Sequence, residues 1–170
     1  MTVHDLLVIG NATGVRTFMT EGRGWAIAEA LHFIGLAILL GSVGLFDLCV
    51  LGVVRGLPVS ALRRLLPFGF AAWLCNVCTG AMFLVSMPDQ YIHNPAFNMK
   101  LCFMGLAAVN LVFYLLFAAR GLAAGAHDAG ASRWVKLSAA VSLGAWIAVI
   151  VCGRLITLYR PPAYWCPWCS

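Results

Sequence analysis

Residues 25–54 of the chain read WAIAEALHFIGLAILLGSVGLFDLCVLGVV, and this stretch decides the fold. Its only acidic or basic side chains are Glu29, His32 and Asp47. A helix needs roughly 20 predominantly apolar residues to cross a hydrocarbon core about 30 Å thick. The stretch is longer than that, so it predicts a transmembrane helix.

Three more apolar stretches follow, at about 65–87, 98–119 and 134–158. Over the whole chain 62% of the residues are apolar and 10% are charged, and the mean hydropathy is +0.92. Soluble domains are roughly 45–50% apolar and about 25% charged, and so short a chain cannot bury this much apolar surface in its own core. We therefore predict an all-α integral membrane four-helix bundle, in one domain over residues 1–170. This composition excludes a soluble enzyme, a disordered chain and a disulfide-stapled secreted module.

The charges are few, and their positions predict the orientation. The net charge of +5 comes from 11 Lys and Arg against 6 Asp and Glu, too few for a nucleic-acid-binding face. Cytoplasmic loops carry an excess of basic residues, and here the first and third connections contain Arg55, Arg63, Arg64, Arg120, Arg133 and Lys136. The second connection, residues 88–98, contains none. We expect a bacterial inner-membrane protein with both termini in the periplasm.

The segment before residue 25 lacks the basic start, apolar middle and small-residue cleavage site of a signal peptide. Its apolar side chains, among them Leu6, Ile9 and Phe18, suffice for a short amphipathic helix lying on the membrane. A loosely ordered tail is the alternative interpretation.

The ionisable residues of the first stretch are candidates for function, because such groups at membrane depth are costly and usually face a bundle interior. Glu29 and Asp47 are 18 residues apart, about five turns of a helix with roughly 3.6 residues per turn. We expect them to share a face. His32 follows Glu29 by one turn, and Gly35 comes one turn later, where a small residue would let a flat macrocycle approach the backbone. The alternative is that His32 only hydrogen-bonds a neighbouring helix.

Two further residues fall at the level of His32 under the predicted topology. His93 lies in the second connection, and Arg154 lies at the periplasmic end of the fourth stretch. A b-type haem needs axial nitrogen ligands and a cation for its propionates. The pattern therefore suggests His32 and His93 as haem ligands and Arg154 as the propionate contact, although a loop histidine is also commonly just solvated.

The sulfur-containing residues form two groups. Cys75, Cys78 and Met82 form one stripe along the second helix, a soft-metal pattern that suits Cu(I), although buried cysteines usually act as small hydrophobes. Near the C-terminus, Cys166 and Cys169 enclose Pro-Trp as a possible redox pair or disulfide. Neighbouring aromatic residues would then anchor this tail at the lipid interface.

Small residues on the fourth helix predict close helix packing. Ala140, Gly144 and Ala148 repeat at four-residue intervals, as in the small-residue faces of membrane helix pairs.

Three groups of residues resemble a known family. They are Glu29-Ala30-Leu31-His32 with Gly41, Phe46-Asp47-Leu48 and Leu51-Gly52; Asn94-Pro95-Ala96-Phe97 with Lys100-Leu101; and Trp146 with Gly153-Arg154-Leu155-Ile156. The arrangement resembles a poorly characterised family of small four-helix bacterial inner-membrane proteins. It is similar, more distantly, to cytochromes of the b561 type and to copper-resistance D membrane proteins. The resemblance to the cytochromes implies a haem ligand at His32, with His93 as its partner, and no more than one haem.

The leading hypothesis is a membrane electron-transfer subunit. It would hold one haem b near the periplasmic face and pass electrons between quinol and a periplasmic partner, with Glu29 taking up the quinol proton. The first alternative is a non-catalytic anchor or scaffold subunit of a larger membrane complex. The second is a quinone-linked thiol oxidoreductase using Cys166 and Cys169, and the third is copper transport.

Overall fold

The computed structural model describes residues 2–57, 62, 64–114, 116 and 132–159, and these form an all-α bundle without a strand. Four helices are long and apolar enough to cross a membrane, and we number them spans 1 to 4: Gly24–Leu51, Leu66–Ser86, Pro95–Phe113 and Arg133–Leu155. The predicted four-helix membrane fold is confirmed. Span 3 begins three residues earlier than predicted because Asn94 caps its first turn and Pro95 occupies the first helical position, where a missing N–H costs nothing.

The helices are numbered in chain order. Two short ones, α1 (Val3–Ala12) and α2 (Val15–Glu21), come first. Span 1 consists of α3 (Gly24–Leu39), a π-helical turn (Leu40–Gly44) and α4 (Leu45–Leu51). Span 2 is α5 (Leu66–Ser86), the short α6 (Asp89–Ile92) follows it, span 3 is α7 (Pro95–Phe113), and span 4 is α8 (Arg133–Leu155). We call the end of the bundle where α3 and α7 begin the His93 end, and the opposite end the Tyr114 end.

The π-helical turn changes which face of span 1 points inward. It adds one residue to the helix, which rotates everything after it by about 100°. Asp47 is consequently only 4% exposed, whereas Glu29 is exposed. The prediction that they share a face is wrong, because uniform spacing ignores the extra residue. With that residue counted, Asp47 lines up with Ala28, which is buried as well.

The spans pack as two pairs, which contact each other mainly at the Tyr114 end. Helix α3 packs along α5, and α7 packs along α8. Span 1 meets span 4 mainly through α4 and the π-helical turn, at the Tyr114 end, whereas α3 itself has few contacts with α8.

Glycines allow spans 1 and 2 to pack closely. A Cβ on Gly35 would lie 2.7 Å from Nδ2 of Asn76, and a Cβ on Gly69 would lie 2.5 Å from Oγ of Ser42. The prediction that Gly35 leaves room for a macrocycle is wrong, because the Asn76 side chain fills that space.

The small-residue face predicted on span 4 is not packed within the described residues. Gly144 is exposed, and no other heavy atom comes within 4 Å of the position its Cβ would take. The tight helix contact involves spans 1 and 2 instead, because the residues that face each other there are small on one side and polar on the other.

The N-terminal segment forms two helices rather than one. Helices α1 and α2 pack against each other and against α5, and bury Leu6 and Met19. A Cβ on Gly10 would lie 2.5 Å from the carbonyl oxygen of Val85. Phe18 stays exposed, as expected for an amphipathic segment at a membrane surface.

Asn94 joins two spans at the His93 end. It is fully buried, and its Oδ1 accepts hydrogen bonds from the backbone N–H groups of Ala96 (3.0 Å) and Phe97 (3.4 Å). Its Nδ2 donates to the carbonyl oxygens of Ile156 (3.0 Å) and Tyr159 (3.2 Å). One side chain thus caps the start of α7 and binds the carbonyl groups that follow the last turns of α8.

At the Tyr114 end, spans 1 and 4 share an apolar core, consisting of Phe46, Val50, Leu62, Val135 and Ala139. Spans 3 and 4 are joined nearby by a reciprocal pair, in which Asn110 donates to the carbonyl of Ser138 and the Ser138 hydroxyl donates back to Oδ1 of Asn110, both at 3.0 Å.

Candidate functional site

Side chains of span 1 and α8 form a shallow apolar cleft lined by Leu36, Leu39, Leu40, Trp146 and Ile150. It encloses no space large enough for a water molecule, whereas most small-molecule sites enclose roughly 300–1,000 Å³. A large ligand would enter only if the two helix pairs part further or Trp146 moves.

His32 lies one turn before Leu36 on α3, toward the His93 end of the cleft. Its Nδ1 is 2.7 Å from Oγ1 of Thr79 on α5. The Thr79 hydroxyl also lies 2.8 Å from the carbonyl of Cys75. When it donates to that carbonyl, Oγ1 accepts from His32, and the imidazole proton is assigned to Nδ1. Nε2 is then the unprotonated nitrogen, and it has no hydrogen-bond partner in the part of the chain that the structure describes.

The ring of His32 is also held by packing. The Phe83 ring meets it edge to face, with centroids 5.8 Å apart. Gly80 lies beside Cε1, since a Cβ there would be 3.9 Å away. Helix α5 thus holds the imidazole in one orientation.

Lys100 brings a positive charge to the same level from span 3. It lies roughly 7.5 Å along α7 from Pro95, by a rise of about 1.5 Å per residue. Its Nζ lies beside Gly153, 3.7 Å from the position of a Cβ on that glycine. Spans 3 and 4 therefore meet at this point.

Two predicted haem contacts, Arg154 and His93, have exposed side chains. Arg154 is exposed in the last turn of α8, and the cation near His32 is Lys100. His93 is exposed at the C-terminal cap of α6, at the same end of the bundle as His32. Its role as a second axial ligand stays a prediction.

The remaining predicted residues are spread over the bundle. Glu29 is exposed on α3, so its carboxyl is not inside the bundle. On α5, Cys78 is exposed, while Cys75 and Met82 are partly buried.

Within the described ranges, no group of three or more His, Cys, Asp or Glu could hold a metal ion. Methionine is not one of these residue types, so the soft-metal site that uses Met82 stays a prediction. Cys166 and Cys169 lie outside the described residues, so the redox-pair interpretation also stays a prediction.

Asp47 is a second buried polar group, remote from His32. The Ser142 side chain of α8 lies beside its carboxyl. Its Oδ2 is buried and has no partner among the described residues. The π-helical turn is what places this carboxyl inside the bundle.

Sequence reasoning missed Thr79 and Lys100. A basic residue within a predicted span is itself a functional signal, but Lys100 was named only as part of the motifs that carry the family resemblance. Thr79 has no comparable signal, because a threonine in a membrane helix is common and its partner lies in another span.

The residues present meet part of what a b-type haem requires. An axial histidine normally donates its second ring N–H to an acceptor that fixes its orientation, and Thr79 does this for His32. Lys100 supplies a cation. The cleft is narrower than a macrocycle, and Gly35 does not widen it.

Comparison of the chain with protein-family models, with curated proteins and with solved structures gives no match. The function is therefore argued from the residues themselves.

Proposed function

We propose that this protein is a small membrane electron-transfer subunit that binds one b-type haem at the His93 end through Nε2 of His32. The observation that carries the proposal is the hydrogen bond from Nδ1 of His32 to Thr79, because it leaves the other nitrogen free to act as a ligand. When bound, the haem would supply one-electron redox chemistry in a site largely shielded from water.

The chain's own residues have distinct tasks in this proposal. Thr79 and Phe83 hold the imidazole in one orientation, which lowers the entropic cost of ligation. His93 would supply the second axial nitrogen. Glu29 is exposed on α3, where a quinol dissolved in the bilayer can reach it and transfer a proton. By the distribution of basic residues, the His93 end and both termini would lie in the periplasm of a bacterial inner membrane, beside the electron-transfer partner.

The visible spectrum of the purified protein tests the proposal. We expect a Soret band that shifts on reduction with dithionite and that is lost in His32→Ala. His4→Ala is the matched control, because His4 is exposed on α1. Thr79→Ser should keep the wild-type spectrum. Thr79→Val removes the hydroxyl that bonds to Nδ1 of His32. We expect it to lower haem affinity by about 10- to 100-fold, the usual effect of removing the hydrogen-bond partner of a metal-ligating histidine. A purified protein without a Soret band, or a His32→Ala variant that retains one, would refute the proposal.

A second candidate function is a non-catalytic anchor or scaffold subunit. The contact between Gly35 and Asn76 favours it, because it closes the space beside His32 that the haem interpretation needed. In that case His32 is structural, through its bond to Thr79. Stoichiometric co-purification of partner subunits, together with wild-type assembly of His32→Ala, would support this candidate over the first.

A further inference from the structure

Asp47 is an acid buried where the two helix pairs join. Its side chain is 4% exposed, and its Oδ2 is buried without a hydrogen-bond partner in the part of the chain that the structure describes. The Ser142 side chain of α8 lies beside the carboxyl. An unpaired ionised carboxylate inside a membrane protein is strongly unfavourable, so this acid needs a bound cation.

The contact that contains Asp47 is the main one between the helix pairs. Spans 1 and 2 form one pair and spans 3 and 4 form the other, and α4 with the π-helical turn packs against α8. The apolar core at the Tyr114 end belongs to the same contact. Whatever neutralises Asp47 therefore also stabilises the junction of the two pairs.

The titratable groups that the structure describes around this contact do not supply the missing charge. The two basic residues of α8 nearest the Tyr114 end, Arg133 and Lys136, are exposed. The π-helical turn and α5 contain no charged residue. Cys49 and Tyr114 pack against the apolar core, and a thiol and a phenol are ordinarily uncharged near neutral pH. The oxygen of Asp47 is therefore left for a cation from solution.

A proton is the cation that suits these surroundings. A metal ion such as calcium or magnesium needs several oxygen ligands, whereas a proton needs no cavity and no further ligand. It binds to the carboxylate itself and converts it to a neutral acid. The neutral acid still has one unpaired carbonyl oxygen, which costs far less than an unpaired charge.

We propose that Asp47 is a proton-binding site, and that binding of one proton to its carboxylate stabilises the contact of α4 with α8 that joins the two helix pairs. The proton comes from water at the Tyr114 end, since α4 ends at Leu51, about 6 Å further along the helix axis by a rise of about 1.5 Å per residue. One carboxylate and one proton give one neutral carboxylic acid, without a change of oxidation state. Loss of the proton leaves a buried charge and weakens the contact.

Infrared spectroscopy of the full-length protein tests for the bound proton. Nanodiscs of ether lipids are used because they have no ester carbonyl, so that the C=O stretch of a protonated carboxyl is visible. At neutral pH we expect this band in wild-type protein and its loss in Asp47→Asn. Asp89→Asn is the matched control, because Asp89 is exposed, and it should keep the band. Isotopic labelling of the aspartate carboxyl carbons should shift the band without any substitution, which keeps the test valid if Asp47→Asn fails to assemble.

Reversible unfolding with SDS at a series of pH values tests the link to the helix contact. The folded protein keeps the proton, whereas an exposed aspartate of the unfolded chain loses it above a pH of about 4. Raising the pH above that value therefore favours unfolding. The unfolding constant should rise by up to about 10-fold per pH unit until the folded carboxyl ionises. Asp47→Asn is neutral at every pH and should lack this rise, and Asp89→Asn should retain it.

Several outcomes would overturn the inference. The site is refuted if wild-type protein shows no protonated carboxyl at neutral pH, or if the band survives in Asp47→Asn. A carboxylate signal that changes when sodium replaces potassium would show a metal ion at the site instead of a proton. Equal pH dependence of unfolding in wild-type protein and Asp47→Asn would refute the link to the helix contact. None of these results bears on the haem proposal, which the Soret band and His32→Ala test separately.

Discussion

The close contact between spans 1 and 2 can be tested by replacing Gly35 with alanine. The new Cβ would lie 2.7 Å from Nδ2 of Asn76, and ordinary contact begins at 3.4 Å, so the amide must move by about 0.7 Å. That amide is held by its hydrogen bond to the carbonyl of Ala72 at 3.1 Å. The same carbonyl oxygen would be 3.2 Å from the Cβ, so the backbone of α5 must yield too.

Such overpacking costs about 1–3 kcal/mol of unfolding free energy. Alanine also gains roughly 1 kcal/mol over glycine in helix propensity, which partly masks the cost. Gly105→Ala is the matched control, because Gly105 also lies inside a span and has no other heavy atom within 4 Å of its Cβ position. The difference between the two variants isolates the steric cost, and we expect Gly35→Ala to be the less stable by about 1–3 kcal/mol.

Reversible unfolding with increasing SDS in mixed micelles measures this difference. In an Asn76→Ala background the cost of Gly35→Ala should fall by at least about 0.5 kcal/mol, as expected for residues in direct contact. Equal unfolding midpoints for Gly35→Ala and Gly105→Ala would show that the two helices are not as close as described. Strict additivity with Asn76→Ala would show that another contact sets the cost.

Three further predictions concern polar contacts. Asn94→Asp keeps the acceptor that caps α7 but loses both donors to α8, so we expect a loss of about 1–3 kcal/mol in the same unfolding assay, and wild-type stability would contradict the bonding described. Ser138→Ala should cost about 0.6–1.7 kcal/mol, with little further loss when Asn110→Ala is added, and full additivity would argue against the reciprocal pair. The backbone N–H of Thr2 donates a hydrogen bond to Oδ2 of Asp5 at 2.7 Å. This bond, with a contribution from the Thr2 side chain, holds the pKa of Asp5 below its usual value. Because the folded-state pKa of Asp5 is depressed, the cap stabilises α1 above the unfolded pKa of about 4 and is lost as the pH falls through the folded value. We expect amide NMR spectra at acid pH to show fraying of the first turn of α1. The Asp5→Asn variant should not show this pH-dependent change.

The positions of the spans could be predicted from the sequence because hydropathy acts over about 20 residues and does not depend on which face is inside. The inward faces could not be predicted in the same way. Asp47 and Glu29 were assigned to one face on uniform helical spacing, and the π-helical turn breaks that spacing without any marker in hydropathy. The turn contains Gly41 and Gly44, but glycine is also common in ordinary membrane helices and therefore does not mark a π-helical turn.

The candidate site was predicted only in part for a related reason. His32 could be identified because an imidazole at membrane depth is rare. Its partner Thr79 and the nearby Lys100 lie in other spans, and the angle at which helices meet is not encoded in a short motif. Arg154 was chosen because of its position along span 4. That position fixes its depth in the membrane but not the direction of its side chain, which is exposed.

The π-helical turn gives span 1 two different neighbours. Its first part, α3, faces span 2, and its last part, α4, faces span 4. A π-turn of this kind corresponds to a one-residue insertion in an ordinary helix. Removing one residue between Leu40 and Gly44 would therefore not shorten the span noticeably, but it would turn the last part of the helix back by about 100° and carry Asp47 away from Ser142.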